Sequence, residues 1–171
     1  MRRRPARPGG RLAGVAAVWL LAACGLLEPA RLDVPPGQHA VLGRVDFAGL
    51  DVGEVALEIV KMDGTFREEL AIGLGHEDFA LVLPAGRYRI VRVRLVKDRR
   101  PVTSDPVSEV RLTFQAGPEP AVYIGTLRLR SDLREQVRIT VADEYERTVE
   151  TLRGRYADLP MAIVRRLVTP A

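Results

Sequence analysis

The stretch FALVLPAGRYRIVRVRL, residues 79–95, contains two runs of apolar residues separated by the turn Pro84-Ala85-Gly86. In the first run, from Phe79 to Leu83, every second residue is a large apolar one, and the second run begins with the same spacing at Tyr88 and Ile90. Successive side chains of a β-strand point to opposite faces of the sheet. The spacing therefore predicts two strands that each bury one face.

The second run changes its parity halfway. Tyr88 and Ile90 share one parity, whereas the apolar residues from Val91 to Leu95 share the other, with Arg92 and Arg94 between them. One extra residue in a strand resets the face that points inward, so we predict a β-bulge near Ile90-Val91. The same change across Gly125-Thr126 predicts a second bulge there. The alternative is that these strands are buried on both faces for part of their length.

Period-two alternation extends outward on both sides, from Ala40 to Val141. Turn residues rich in glycine and proline separate the runs, and a weaker run over residues 65–72 is expected to be an edge strand. About eight strands at this spacing, or equally seven, predict an antiparallel β-sandwich over residues 38–142.

The period becomes helical after Val141. Tyr145, Val149, Leu152 and Tyr156 form one apolar stripe, which predicts a helix. Asp143 and Glu146 have the spacing of a capping box at its start. A second short helix is expected over residues 163–168, and the whole segment 143–171 is predicted to form a helical cover of the same domain.

The N-terminus combines a basic region with a short apolar run that includes the only cysteine of the chain, Cys24. The uncharged run from Leu12 to Leu27 has 16 residues, fewer than the about 20 that a transmembrane helix needs. The pattern is typical of a signal peptide, with small residues at Ala22 and Ala23 before the cleavage site. A single cysteine excludes an internal disulfide, so the core alone has to stabilise the fold.

The sequence Leu21-Ala22-Ala23-Cys24 resembles the lipobox of bacterial lipoproteins. In that family the preceding peptide is removed and the cysteine carries acyl chains. The resemblance implies a signal peptide over 1–23 and lipidation of Cys24. The three prolines and the few periodic apolar positions of residues 25–37 predict a flexible tether over 24–37. It also implies a bacterial cell envelope location, with the membrane as a partner; the absence of an aspartate after Cys24 favours the outer membrane of a Gram-negative host. An ordinary secretory signal is the alternative.

Cleavage would change the charge balance. The full chain carries a formal charge of +4, but residues 1–23 contain five arginines and no acid. The remainder has 21 basic and 22 acidic side chains, a net charge of about −1. The basic balance that would indicate nucleic acid as a partner therefore disappears, and we expect none.

The sequence gives little support for catalysis or metal binding. The two histidines, His39 and His76, are expected on separate turns, and zinc sites usually need three or four convergent ligands. Adjacent acids such as Glu68-Glu69 and Asp143-Glu144 are expected on a surface strand and at a helix start. We therefore expect no catalytic residue, no metal and no cofactor.

The arginine-rich strand is the remaining candidate site. Arg87, Arg89, Arg92 and Arg94 alternate with apolar residues, and such a row of guanidinium groups can bind carboxylates or phosphates. Arg89, Arg92 and Arg94 are therefore the candidate ligand-binding residues. The alternative is a solvated face on which these arginines pair with acids such as Glu58 or Glu109.

The segment LPAGRYRI, residues 83–90, resembles the turn-to-strand segment of transthyretin-like and carboxypeptidase-regulatory-like sandwich modules, which implies a non-catalytic accessory role. We expect a membrane-anchored envelope lipoprotein with a structural or interaction role and an envelope protein or glycan as partner. The alternative is a binding module for an anionic glycan, lipid or protein through the arginine-rich strand. An envelope hydrolase is the third hypothesis.

Overall fold

The alternating segments form strands in the computed structural model, which describes residues 29–97, 100–101, 110–131 and 137–170. Two sheets pack face to face, and one helix lies on the outer face of the first sheet. This confirms the predicted mainly β sandwich with a C-terminal helix. Cys24 and the signal-peptide prediction lie outside the described residues.

Within the described residues, eight strands have five or more residues, and three have two. The long strands are β1 (Gln38–Asp46), β2 (Glu54–Lys61), β3 (Arg67–Gly73), β4 (Asp78–Pro84), β5 (Gly86–Lys97), β7 (Leu112–Ala116), β8 (Ala121–Ser131) and β9 (Val137–Ala142). The short strands are β6 (Arg100–Pro101), β10 (Val164–Arg165) and β11 (Thr169–Pro170). The helix, α1, spans Tyr145–Arg155.

The first sheet has the order β10-β8-β1-β4. β9 also pairs with β8, at residues 126–131, whereas β10 pairs with residues 122–123. The pairs β1–β8 and β10–β8 are parallel, whereas β1–β4 and β8–β9 are antiparallel. The two parallel pairs differ from the expected antiparallel arrangement. Each parallel pair joins strands that a long connection separates: β2 to β7 lie between β1 and β8 in the chain, and β9 and a helix lie between β8 and β10.

The second sheet has the order β11-β7-β5-β2-β3, and β6 pairs with the far end of β5. All its pairs are antiparallel. β3 lies at the edge beside β2, as the weaker alternation over residues 65–72 predicted. β5 therefore occupies the middle of the sheet, with β2 on one side and β7 on the other.

Residues 164–170 form a C-terminal strap that joins the two sheets. β10 pairs with β8 of the first sheet, and β11 pairs with β7 of the second. Between them, Val168 N–H donates to the Ile124 carbonyl at 2.8 Å. The second helix predicted over 163–168 is therefore wrong. The backbone N–H groups of this segment bond to a sheet edge, and β-branched residues such as Val164 suit that extended conformation.

The sandwich contains two apolar clusters. The larger fills the space between the sheets and includes the buried residues Val41, Ile59, Tyr88 and Leu127. The smaller lies between the first sheet and the helix. It contains Ala40, Leu42, Ala121, Tyr123, Val149, Leu152 and Leu159. The described residues thus form three layers: helix, first sheet and second sheet.

Both predicted bulges are present. Glu58 of β2 pairs with Arg92 and Ile59 pairs with Ile90, so Val91 is the extra residue of β5. On β8, the shift lies between Tyr123 and Thr126, where Gly125 has a φ of +109°. β8 is also buried on both faces for part of its length, the alternative to a bulge, because every residue from 121 to 127 is buried. One face of β8 contacts the other sheet, and its other face contacts the helix layer.

The helix lies where the apolar stripe predicted it, but its start differs. Glu144 is the N-cap residue, and its side chain makes no capping hydrogen bond. Asp143 Oδ1 instead accepts from Tyr145 N–H at 3.1 Å, and Glu146 pairs with Arg165. The predicted capping box of Asp143 and Glu146 is therefore absent, because Arg165 of the strap holds the Glu146 carboxylate.

Residues 29–37, the described part of the predicted tether, lie against the helix layer. Ala30 forms a parallel bridge with Tyr156, and Leu32 and Val34 pack on the smaller apolar cluster. The Asp158 carboxylate accepts from the backbone N–H groups of Leu32 at 2.7 Å and Asp33 at 3.0 Å. These two bonds hold the pKa of Asp158 below its usual value.

Candidate anion-binding site

The arginines of β5 share the outer face of the second sheet. Tyr88 and Ile90 point into the core before the bulge, and Val93 and Leu95 do so after it. Because Val91 is the extra residue, the change of parity keeps the arginines before and after it on one face. Without the bulge, the parity of Arg87 and Arg89 would direct Arg92 and Arg94 into the core.

A groove of about 500 Å³ crosses this face. Strands β2, β3 and β5 and the segment before β7 supply its walls. We call it the arginine groove, and its lining residues are Glu58, Val60, Arg67, Arg89, Val91, Arg92, Val110 and Arg111. Among these described residues, four guanidinium groups accompany one carboxylate. Three valines add apolar surface to a lining that is otherwise charged.

Glu58 lies between Arg67 and Arg92 and is the only acid among the described residues that line the groove. Its side chain is 14% exposed, and its two oxygens lie 3.1 Å from Arg67 Nε and 3.5 Å from Arg92 Nη1. One carboxylate thus orients two arginines, one from each neighbouring strand. The structure confirms Glu58 as a cross-strand partner of the arginine strand; Glu109 lies outside the described residues.

Arg89 has no such partner. Its side chain makes no hydrogen bond or ion pair within the part of the chain that the structure describes, and its Nε is buried without an acceptor. Arg87, two residues earlier on the same face, likewise has no ion pair among those residues. A buried donor without an acceptor costs free energy. The arrangement can therefore hold an anion that supplies the missing acceptor.

A second, smaller cavity lies beside the groove on the same face. It has a volume of about 240 Å³ and is lined by Arg87, Thr113, Phe114, Gln115, Arg166, Leu167 and Thr169. Arg166 belongs to the strap, where it donates to Glu119 at 2.8 Å. Arg87 pairs with Gln115 across β5 and β7, and Arg89 pairs with Thr113 in the same ladder. The two cavities are thus neighbours along these two strands.

A separate polar cluster lies on the outer face of the first sheet. Thr126 Oγ1 and Arg128 Nη2 both donate to the carboxylate of Glu144, at 3.2 Å and 2.5 Å. The Arg128 guanidinium is the main cause that holds the pKa of Glu144 below its usual value. In the same way, the hydrogen bond from Arg130 lowers the pKa of Asp46. Because Glu144 lies at the start of the helix and its partners Thr126 and Arg128 lie on β8, these hydrogen bonds attach the helix to the first sheet.

The three candidate arginines have different positions. Arg89 and Arg92 line the groove, whereas Arg94 lies outside it on the same face and pairs with Glu69 of β3. Sequence reasoning missed Arg67 and Arg111, which complete the groove. The position of Arg67 on the exposed face of β3 could have indicated it as a groove residue, but only if β3 had been known to lie beside β2.

The remaining candidates do not converge. His39 lies on β1 rather than on a turn, where its Nδ1 is 2.8 Å from the Glu119 carbonyl, and His76 is exposed. Among the described residues, no three His, Cys, Asp or Glu side chains are grouped so that they could hold a metal ion. In the same ranges, no helix has the length and apolar character required to cross a membrane.

Comparisons of the chain with protein-family models, curated proteins and solved structures found no match. The geometry of the arginine groove is therefore the basis for assigning a function.

Proposed function

We propose that this chain is a non-catalytic binding domain of the bacterial cell envelope, held to a membrane through Cys24, that binds an anionic ligand in the arginine groove. The observation that carries the proposal is Arg89, whose buried Nε has no acceptor in a groove that three further arginines line. An anionic ligand would satisfy that donor.

The chemistry of the groove favours carboxylate, sulfate or phosphate groups. Guanidinium groups form paired, charge-assisted hydrogen bonds with such anions. Arg67 and Arg92 are already oriented by Glu58, so little side-chain entropy would be lost when they bind a ligand. The groove volume lies within the range of about 300–1,000 Å³ that small-molecule sites occupy. These features support a ligand larger than a single inorganic ion.

The groove is tested by calorimetric titration with two tetrasaccharides, one derived from heparin and one an oligogalacturonate. We compare the parent with the double variant Arg89→Gln, Arg92→Gln. The matched control is Arg31→Gln, Arg147→Gln, which removes the same charge from exposed arginines outside the groove.

We expect at least one tetrasaccharide to bind, and its affinity to fall at least tenfold in the groove variant and less than threefold in the control. Loss of one charged hydrogen bond, about 1.5–3 kcal/mol, is sufficient for the tenfold change. Absence of binding by both tetrasaccharides, or an equal loss in the control, would overturn the proposed site.

The anchor is tested separately by the intact mass of the protein extracted from host membranes. We expect a chain that begins at Cys24 and carries diacylglyceryl and acyl groups, and a Cys24→Ser variant that is released from the membrane. An unmodified mass, or a Cys24→Ser variant that is processed and bound as before, would refute the anchor and leave the groove unaffected.

A further inference from the structure

The arginine groove and the smaller cavity lie along one row of paired residues. Val60 of β2 pairs with Arg67 of β3 and with Arg89 of β5. Arg89 in turn pairs with Thr113 of β7, and Thr113 pairs with Thr169 of β11. One continuous row therefore crosses β3, β2, β5, β7 and β11, five of the six described strands of the second sheet, perpendicular to their direction.

The length of this row sets the size of the ligand that it can hold. Adjacent strands lie about 4.8 Å apart, so the four intervals from Arg67 to Thr169 span about 19 Å. The arginine groove covers the half of the row nearest β3, and the smaller cavity covers the half nearest the strap. A small anion would fill only one end.

The two halves differ in chemistry. The lining of the groove is charged apart from its valines, whereas the smaller cavity adds the Thr113 and Thr169 hydroxyls and the Gln115 amide to its own arginines, Arg87 and Arg166. Hydroxyl and amide groups suit the hydroxyls of a sugar. The one aromatic residue among the lining residues, Phe114, is only 6% exposed. The base stacking that single-stranded nucleic acids require is therefore not provided by these residues.

We infer that the two cavities are subsites of one track that binds an anionic polysaccharide laid across the strands. The inference rests on the proposed function, since it assigns the ligand class of the same arginine groove. In this arrangement Arg89 and Arg92 hold one charged sugar unit. Arg87 holds a second charged unit farther along the chain, and the threonines bind neutral hydroxyls between or beside them.

The test is the dependence of affinity on ligand length, measured by calorimetry with heparin-derived disaccharide and tetrasaccharide. We expect the tetrasaccharide to bind the parent at least tenfold more tightly than the disaccharide. Arg87→Gln should remove most of that gain and change disaccharide affinity less than threefold. Arg94→Gln is the matched control, because Arg94 lies on the same strand and face but outside both cavities.

The outcomes separate the track from the groove. If Arg89→Gln, Arg92→Gln weakens both ligands but the parent binds both lengths equally, the track is refuted and the groove remains. If Arg94→Gln reduces the length dependence as much as Arg87→Gln, diffuse positive charge explains the binding, and the track is also refuted. If the groove variant weakens neither ligand, the proposed function itself fails.

Discussion

The hydroxyl of Tyr123 accepts a hydrogen bond from the backbone N–H of Glu144 at 2.9 Å, which joins the centre of the first sheet to the start of the helix. Thr126 lies 3.4 Å from the same hydroxyl and donates to the Glu144 carboxylate. The three residues therefore form a closed ring of hydrogen bonds. Tyr123 is fully buried, so water cannot replace these hydrogen-bond partners of its hydroxyl.

Tyr123→Phe should destabilise the domain by about 1–3 kcal/mol, because it leaves the Glu144 N–H without its acceptor. The free energy of unfolding in urea measures the change. Tyr156→Phe is the control, since the Tyr156 hydroxyl makes no hydrogen bond with the described residues and its loss should change stability little. Equal effects of the two variants would contradict the role of the ring.

Stability should fall in acid as Glu144 and Asp46 become protonated. Their arginine partners lower both pKa values in the folded state, so the unfolded state binds protons first. The stabilisation is complete above the ordinary carboxylate pKa values of about 4 and is lost as pH falls through the lower folded values. Glu144→Gln should flatten the slope of unfolding free energy between pH 5 and pH 3.

The control for this pH dependence is Glu150→Gln, which removes a carboxylate from the exposed side of the same helix. If this variant flattens the slope as much as Glu144→Gln, the specific contribution of the polar cluster is disproved.

Gly43→Ala should destabilise the domain by about 1–3 kcal/mol through overpacking. A Cβ at Gly43 would lie 2.5 Å from Cζ of Phe79, its buried cross-strand partner. The double variant Gly43→Ala, Phe79→Leu should cost less than the sum of the single changes, as a double-mutant cycle would show. Gly53→Ala, where the nearest atom is 4.0 Å away, is the control. Strict additivity would argue against the predicted clash.

Gly154→Ala should stabilise the domain by about 0.5–1 kcal/mol, because alanine favours a helix more than glycine does. Gly154 lies within α1, and no atom lies within 4 Å of a Cβ built there. Gly49→Ala offers the opposite comparison. Space is also open at Gly49, but its φ of +86° disfavours a side chain. Thermal unfolding should move the two midpoints in opposite directions, and a shift of both in one direction would refute this reasoning.

Asp158→Ala should release residues 29–37 from the helix layer. The carboxylate accepts from two backbone N–H groups, Leu32 and Asp33, and no other described side chain replaces it there. Trypsin cleavage after Arg31 should become several-fold faster in the variant. Asp63→Ala, which removes an acid from a distant turn, should leave that rate unchanged. An unchanged rate in Asp158→Ala would show that Leu32 and Val34 packing alone holds the segment.

The strands and both bulges could be predicted from the sequence because alternation and its parity depend only on local geometry. The helix followed in the same way from the stripe of Tyr145 to Tyr156. Residues 163–168 were misread, since the spacing of Ile163, Val164, Leu167 and Val168 fits a helical stripe as well as an extended strap. The extended strap forms because its backbone can pair with the edges of β8 and β7, which the local sequence does not reveal. The parallel pairing of β1 with β8 was equally inaccessible, because it depends on the order in which the chain visits the sheets.

The candidate site was predictable only in part. Arg89 and Arg92 were identified because they alternate on one strand, and Glu58 because an acid at outward parity could face them. Arg67 contributes through the position of β3 beside β2, which no local pattern of residues 67–73 specifies. Arg94 was expected to bind a ligand, but its pairing with Glu69 depends on the same strand order.

Together with the proposed attachment at Cys24, the docking of residues 29–37 on the helix layer would set the orientation of the domain. That layer and the arginine track lie on opposite surfaces, separated by two sheets and a helix that together span about 20 Å. From Pro29 back to Cys24 there are five peptide steps, which reach about 18 Å at most. Under the proposed attachment at Cys24, the helix layer would therefore face the membrane. The proposed track would lie on the far side, open to polymers that approach from the surrounding compartment and away from the lipid headgroups.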